Sequence, residues 1–294
     1  MLFRSLRLLK HLENDSIIIS HSLRATVIIK ILKLLVKKDI KLNTTIHQVP
    51  MLTDTRQRIR RFIYSQFTDK LFGFSKSVVE TWDIQFSMPL APLIKFSSKK
   101  IVLLRNGIYL KRMTNFPSSS KILEKRMIFL GRPAFWKGLE ILKSLMDEPK
   151  LSDFKLLLLI PEYSQDLEKI FLKKYRGRAE IIYGRSPGDI MFNQGDVHIY
   201  PANFGPSVKN FEAISINCLE MASLGIPSVV TRGGAQTWSD LIQRGLVIEN
   251  NWSEIDESIQ NIIKASEIKF KQNEILKVRE VLDISHQIDY YLGS

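Results

Sequence analysis

Two acids in this chain, Glu212 and Glu220, stand eight positions apart in the segment from Asn210 to Thr231. Between them the segment reads as a loop becoming a helix. Ser215 is placed to cap that helix, Ile216, Leu219 and Ala222 keep helical spacing, and Gly225 supplies a left-handed stop. The run from Pro227 to Thr231 then reads as a buried strand. Glu212 therefore precedes the helix and Glu220 lies within it. The unsatisfied amides and positive dipole end between them suit a phosphate, and carboxylates on either side can accept hydrogen bonds from sugar hydroxyls. A nucleotide sugar carries both groups. The plainer alternative is a capped amphipathic helix with solvated acids.

A second constellation lies upstream. Met127 to Leu130 is apolar, Gly131 and Arg132 break it, and a helix restarts after Lys137 and Gly138. On a strand-to-helix loop, Arg132 offers a planar fork and Lys137 a compact charge, and the two can converge on one diphosphate. Two solvated cations in a turn are the alternative. The stretch separating the constellations supplies the elements that would position them. Phe154 to Ile160 reads as a strand buried on both faces, Gln165 to Lys174 as an amphipathic helix, and 180–183 and 197–200 as two further strands. Such alternation implies a parallel doubly wound sheet with ligands outside the carboxyl ends of its strands. The turn at Tyr183, Gly184 and Arg185 either borders a nucleotide base or is a plain turn. His198, inside a strand, reads as a satisfied core histidine, and Cys218 as a packing residue.

These residues together resemble the retaining glycosyltransferases of family 4, which have the GT-B fold. The signature carried here is Glu212, seven residues, Glu220, a small-residue helix, then Gly225, Pro227 and a strand, with Gly131, Arg132, Lys137 and Gly138 upstream. The chain has Ala213 and Ile214 where the family usually has Gly and Phe, and Asn217 where it often has Pro. The resemblance implies α/β architecture: two Rossmann-like doubly wound domains facing a cleft. The implied domains are a partial acceptor-side domain over 1–113, a linker over 114–124 and a nucleotide-sugar domain over 125–294. It also implies a donor site in which Gly131, Arg132, Lys137 and the amides near Ser215 and Ile216 meet the diphosphate. Glu220 would hold the ribose hydroxyls and Glu212 the transferred sugar. Ser16 to Ala25, with His21, and Leu42 to Gln48, with His47, resemble two strand ends of the amino-terminal domain; His47 matches the family histidine that faces the sugar. Phe72 to Ser75 and the Asn106, Gly107 segment extend the likeness. No metal or other cofactor is implied. A full domain of this family opens with a glycine-rich turn, whereas the first glycine here is Gly73. The chain is accordingly expected to be either a truncated fragment that still binds sugar nucleotide or a shortened member with partial acceptor machinery.

Composition bounds the partners. The 294 residues are 45% hydrophobic, enough for two cores. The net charge of +13 is lopsided: residues 1–112 carry 21 Lys and Arg against 7 Asp and Glu, whereas residues 113–294 carry 22 against 23. Basic residues alternate with apolar ones from Ile29 to Lys38 and from Arg56 to Phe62. Segments of this kind are drawn to anionic lipid head groups, although a solvated helix face is an equal reading. Nucleic acid is not expected, since no recognisable binding module accompanies the charge. No apolar run approaches the about 20 residues needed to span a bilayer. Met1 to Lys10 reads as an amphipathic helix, and the single cysteine fits a cytoplasmic protein. A peripheral enzyme at the inner face of the membrane, acting on a lipid-linked glycan in surface polysaccharide or lipopolysaccharide assembly, is the implied setting.

Overall fold

The computed structural model describes residues 11–36, 39–46, 62–64, 66–73, 79–80, 101–103, 105–113, 124–134, 137–202, 215–232 and 238–285. His47, Glu212, the 114–123 part of the linker and residues 1–10 lie outside this set. The described residues divide into two compact units, one ending at Arg105 and the other starting at Asn106.

The first unit holds a four-stranded sheet in the order β1-β2-β3-β4, with β1 at Ile17–Ser20, β2 at Lys41–Ile46, β3 at Lys70–Gly73 and β4 at Ile101–Leu103. All three pairings are parallel. Helix α1, Leu23–Val36, crosses between β1 and β2. Leu32 and Ile40 are buried together, and Leu71 and Ile101 join Ile46 and Tyr64 in a second small core. Where β1 turns into α1 the interior is polar. The Ser20 hydroxyl lies 2.9 Å from that of Thr26, which lies 3.2 Å from that of Thr44, and His21 Nδ1 is 2.9 Å from Thr45 Oγ1.

The second unit contains six parallel strands: β5 Lys125–Leu130, β6 Phe154–Ile160, β7 Ala179–Tyr183, β8 Val197–Tyr200, β9 Ser228–Thr231 and β10 Val247–Asn250. Their spatial order is β10-β9-β8-β5-β6-β7. This is the doubly wound order in which the chain builds outward from one central strand and then returns to build in the other direction. The helices are α2 Leu139–Asp147, α3 Gln165–Leu167, α4 Ile216–Ser223, α5 Ser239–Gln243, α6 Ile255–Glu267 and α7 Gln272–Leu282. Alternating strand residues reach opposite faces. Met127, Phe129, Leu156 and Leu158 meet Leu142 and Met146 of α2 and Ile259 and Ile262 of α6. Ile128, Leu130, Leu157 and Leu159 meet Met221 of α4. The apolar run of β6 from Leu156 to Ile160 follows from this double coverage, with Lys155 exposed near its start.

Several local expectations are modified. The segment after Ser164 makes one α turn and continues as a π-helical stretch, Glu168–Leu172, with Lys173 N–H bonded to Glu168 O at 3.2 Å. Residues 106–113, read from sequence as the end of the first domain, belong to the second unit. Ile108 exchanges backbone hydrogen bonds with Leu282 and Ile284, Met113 is buried in the α4 core, and Arg279 donates to the Met113 and Leu110 carbonyls.

The amino ends of β5 and β8 are tied by charge. Arg126 Nε donates to Asp196 Oδ1 at 2.9 Å and Nη2 to Oδ2 at 2.6 Å, while Asn193 N–H adds a third bond to that carboxylate. Burial raises the pKa of Asp196, and the Arg126 hydrogen bonds act against that rise. Removing one partner strands the other charge in the interior, so Asp196→Ala is expected to cost about 3–5 kcal/mol in chemical denaturation.

His198 is fully buried, with Nδ1 3.0 Å from Ser228 Oγ and no hydrogen-bond partner for Nε2 among the described residues. It is a core histidine as anticipated, yet only half satisfied, because the surrounding strands are apolar. Desolvation lowers its pKa from 6.5 to about 3. Below pH 6.5 the unfolded imidazole takes up a proton that the folded one refuses until about pH 3, so acidification through this window favours unfolding. The slope well inside it is about 1.4 kcal/mol per pH unit. His198→Asn, which can keep the Ser228 bond, should flatten stability against pH between 6 and 4.5 relative to the unaltered chain.

Candidate functional site

The site is built where the winding reverses. β5 pairs with β8 at Met127 with Val197 and Ile128 with His198, near the amino ends of both strands. Their carboxyl ends, at Leu130 and Tyr200, open onto the loops that carry the sequence constellations. Crevices at such reversals are the usual ligand positions in open α/β sheets.

Gly131 follows β5 with φ +133 and donates its N–H to Leu159 O at 3.1 Å, so the chain leaves the sheet sharply while still anchored to β6. Arg132 stands exposed on the next position. Ala134 N–H returns to Arg132 O, and Lys137 N–H to Ala134 O, both at 2.9 Å. These turns carry Lys137 back over the mouth. Its ammonium donates to the Tyr200 hydroxyl and lies 4.6 Å from the centre of that ring, an arrangement that adds cation–π attraction to a hydrogen bond. Tyr200 is 6% exposed and held in the core beneath the mouth. Lys137 is thereby held at the β5/β8 reversal.

Gly138 makes this loop possible. It has φ +77, and a Cβ there would fall 2.1 Å from the Pro201 carbonyl oxygen. The α2 start and the β8 end therefore touch through bare backbone, which only glycine permits.

On the other side, α4 begins at Ser215. The expected side-chain cap is not made: Ser215 is the cap residue, but its hydroxyl accepts no cap hydrogen bond. The reason is local, since Cys218 N–H is taken by the Ser215 carbonyl at 2.9 Å. The first helical amides, at Ile216 and Asn217, come before any intrahelical acceptor. Asn217 reaches across instead, its Nδ2 donating to Leu130 O at 3.0 Å. This bond fixes the start of α4 against the end of β5, the strand that delivers Gly131 and Arg132. Glu220 is half-buried one turn further along α4, and Cys218 is fully buried in the core beside Leu219.

The structure thus gathers Gly131, Arg132, Lys137, Ser215 and Ile216 around one mouth, with Glu220 on the helix that enters it. Glu212 and His47 lie outside the described residues. Tyr200, Gly138 and Asn217 are contributors that sequence reading did not assign to the site. A polar aromatic ending an apolar strand, and a glycine directly after the lysine, were the signals available for the first two. Asn217 carried none beyond its departure from the family's proline. The turn at Tyr183 to Arg185 follows β7, on the far side of β6; Tyr183 meets Tyr163 with ring centres 5.3 Å apart. Among the described residues no group of three or more His, Cys, Asp or Glu side chains could hold a metal ion.

Chemically, the mouth combines two cations, free helix amides and no acid other than Glu220 among the residues named, an electrostatic setting for a multiply charged anion.

No protein-family model matches the chain. It is 33% identical over 87 residues to an uncharacterized glycosyltransferase of Methanocaldococcus jannaschii, a stretch that is 28% of this chain and 22% of that protein. The chain therefore spans well under two thirds of this curated relative. Solved structures are similar over nearly all of it. Anabaena HepE in complex with UDP aligns at a TM-score of 0.68 and 15% identity, covering 99% of this chain and 81% of HepE. A UDP-forming α,α-trehalose-phosphate synthase from Burkholderia vietnamiensis gives 0.66 at 12% identity, with 99% and 78% covered. The lipopolysaccharide outer core galactosyltransferase WaaB gives 0.57 at 14%, with 99% and 76% covered. The fold is the mixed α/β, parallel-sheet architecture of GT-B glycosyltransferases.

The contact at Gly138 has a direct test, because Gly177 shares its φ of +77 but a Cβ there would have nothing within 4 Å among the described residues. Gly177→Ala should lose only the left-handed backbone preference, about 1–2 kcal/mol. Gly138→Ala should lose measurably more in the same denaturation experiment, the excess reporting the collision with Pro201.

Proposed function

We propose that the chain is a retaining glycosyltransferase of the family 4 kind, using a nucleoside diphosphate sugar as donor and a hydroxyl of a lipid-linked glycan as acceptor. The observation that carries this reading is that Lys137 and the start of α4 both meet the β5/β8 reversal, Lys137 through Tyr200 and α4 through the Asn217 bond to Leu130, with Arg132 on the same loop as Lys137. UDP and UDP-glucose, with which Anabaena HepE was solved, are the first donors to test.

In this mechanism Arg132, Lys137 and the Ile216 and Asn217 amides stabilise the departing diphosphate, an electrostatic contribution from groups already in position. Glu220 receives the ribose hydroxyls. Glu212 and His47 are assigned to the transferred sugar by the family resemblance alone. Bond formation to the acceptor hydroxyl proceeds with retention at the anomeric carbon, without a metal. The acceptor setting is surface polysaccharide or lipopolysaccharide assembly at the inner face of the membrane. Support for a peripheral location comes from α1, where Leu34 and Leu35 are 70% and 66% exposed on a helix that also carries Lys30 and Lys33. No described helix is long and apolar enough to cross a membrane.

Calorimetry with UDP and UDP-glucose tests the donor site. Replacing a cation that makes charge-assisted bonds removes about 1.5–3 kcal/mol, so Lys137→Ala and Arg132→Ala should each weaken UDP binding about 10–100-fold. Glu220→Ala should abolish transfer. Absence of binding by either ligand, and by a panel of other sugar nucleotides, would overturn the reading. Binding with no release of UDP in the presence of acceptors would identify a donor-binding chain that does not transfer.

A further inference from the structure

The two cations at the mouth are not held alike. Arg132 is exposed, and its guanidinium makes no hydrogen bond or ion pair among the described residues. Lys137 is half-buried. Its ammonium donates to the Tyr200 hydroxyl and lies 4.6 Å from the centre of the same ring, so one side chain gives it both an acceptor and a π face.

The support under Lys137 is itself fixed. Tyr200 closes β8, all four residues of which are buried, and it pairs with Val230 in the β9 ladder. Its side chain belongs to the core cluster that contains Cys218, Leu219 and Ala222 of α4 together with Trp238. The phenol therefore stands on the same packing that seats α4. The next residue, Pro201, presents the carbonyl oxygen that lies 2.1 Å from where a Gly138 Cβ would fall. Lys137 is thus restrained at both ends, its backbone through Gly138 and its ammonium through Tyr200.

This restraint has an energetic sign. A lysine side chain that must be ordered when it closes on an anion weakens binding about 2–10-fold for the rotamer freedom it loses. Where a phenol already holds the ammonium, that loss is incurred on folding instead. An ammonium carries three donors, so one bond to a phenol is compatible with others to a ligand. We propose that Tyr200 is a positioning residue of the donor site, which does not meet the diphosphate itself but holds Lys137 in the geometry that does. The proposal rests on the donor reading of this mouth. Arg132, which lacks such a support, is not affected by Tyr200.

Tyr200→Phe removes the hydroxyl and keeps the ring, which leaves the core packing in place. It is made in the unaltered chain, in Lys137→Ala and in Arg132→Ala, and affinity is measured by calorimetry with UDP, or with GDP or ADP where UDP does not bind. Tyr200→Phe should weaken binding about 3–10-fold in the unaltered chain and in Arg132→Ala, but leave it within about twofold in Lys137→Ala, where no ammonium remains to be held. The same loss in the Lys137→Ala background overturns the proposal, because the hydroxyl would then act on the ligand or on the fold independently of the lysine. Binding that Tyr200→Phe leaves within about twofold in the unaltered chain overturns it as well. Absence of binding by all three nucleotides overturns the donor reading itself, a result distinct from binding that is indifferent to Tyr200.

Discussion

The pairing of β5 with β8 is the constraint on which the second unit depends. These strands are distant in sequence and adjacent in the sheet, and the chain winds away from them in opposite directions. Their ladder is short, joining Met127 with Val197 and Ile128 with His198. The bidentate bond from Arg126 to Asp196 secures the same end of the two strands. A buried ion pair is an inefficient way to gain stability compared with apolar packing. Here it leaves the carboxyl ends of β5 and β8 to be joined by other means.

Those means are specific. At the carboxyl ends the contacts are the Lys137 to Tyr200 bond, the bare backbone approach of Gly138 to Pro201, and the Asn217 bridge to Leu130. The first two tie the loop after β5 to the end of β8, and the third ties the start of α4 to the end of β5. The result places cationic and amide donors beside one another without any of them lying on a long flexible segment of its own. Preorganised donors of this kind lose little free energy in reorganisation when negative charge develops.

The two units divide the physical work unequally. The second is close to electrically neutral and buries extended apolar faces on both sides of its sheet. The first carries the excess charge and exposes apolar residues on α1, and its interior at the β1 to α1 turn is a chain of hydroxyls from Ser20 through Thr26 to Thr44. Hydroxyl networks hold short strands in register by bonds that satisfy one another.

The amino-acid sequence by itself determined the elements and their alternation. The β6 strand from Phe154 to Ile160 and the β8 strand from Val197 to Tyr200 are legible to their bounds, because a strand covered on both faces is apolar over most of its length; Lys155 and His198 are the polar members. The elements that carry Arg132, Lys137 and Glu220 were legible too, since a loop after a strand and a helix beyond it follow from the local spacing. Only the tertiary structure decided which groups support them. Tyr200 under Lys137, Asn217 on Leu130, and Pro201 against Gly138 are contacts between residues far apart in sequence, and no local periodicity encodes them. The same holds for residues 106–113, which extend the second unit because Arg279 donates to the Met113 and Leu110 carbonyls and the Leu282 carbonyl accepts the Ile108 N–H. Local pattern reports how a segment folds; which segments share a hydrogen bond depends on how the whole sheet is wound.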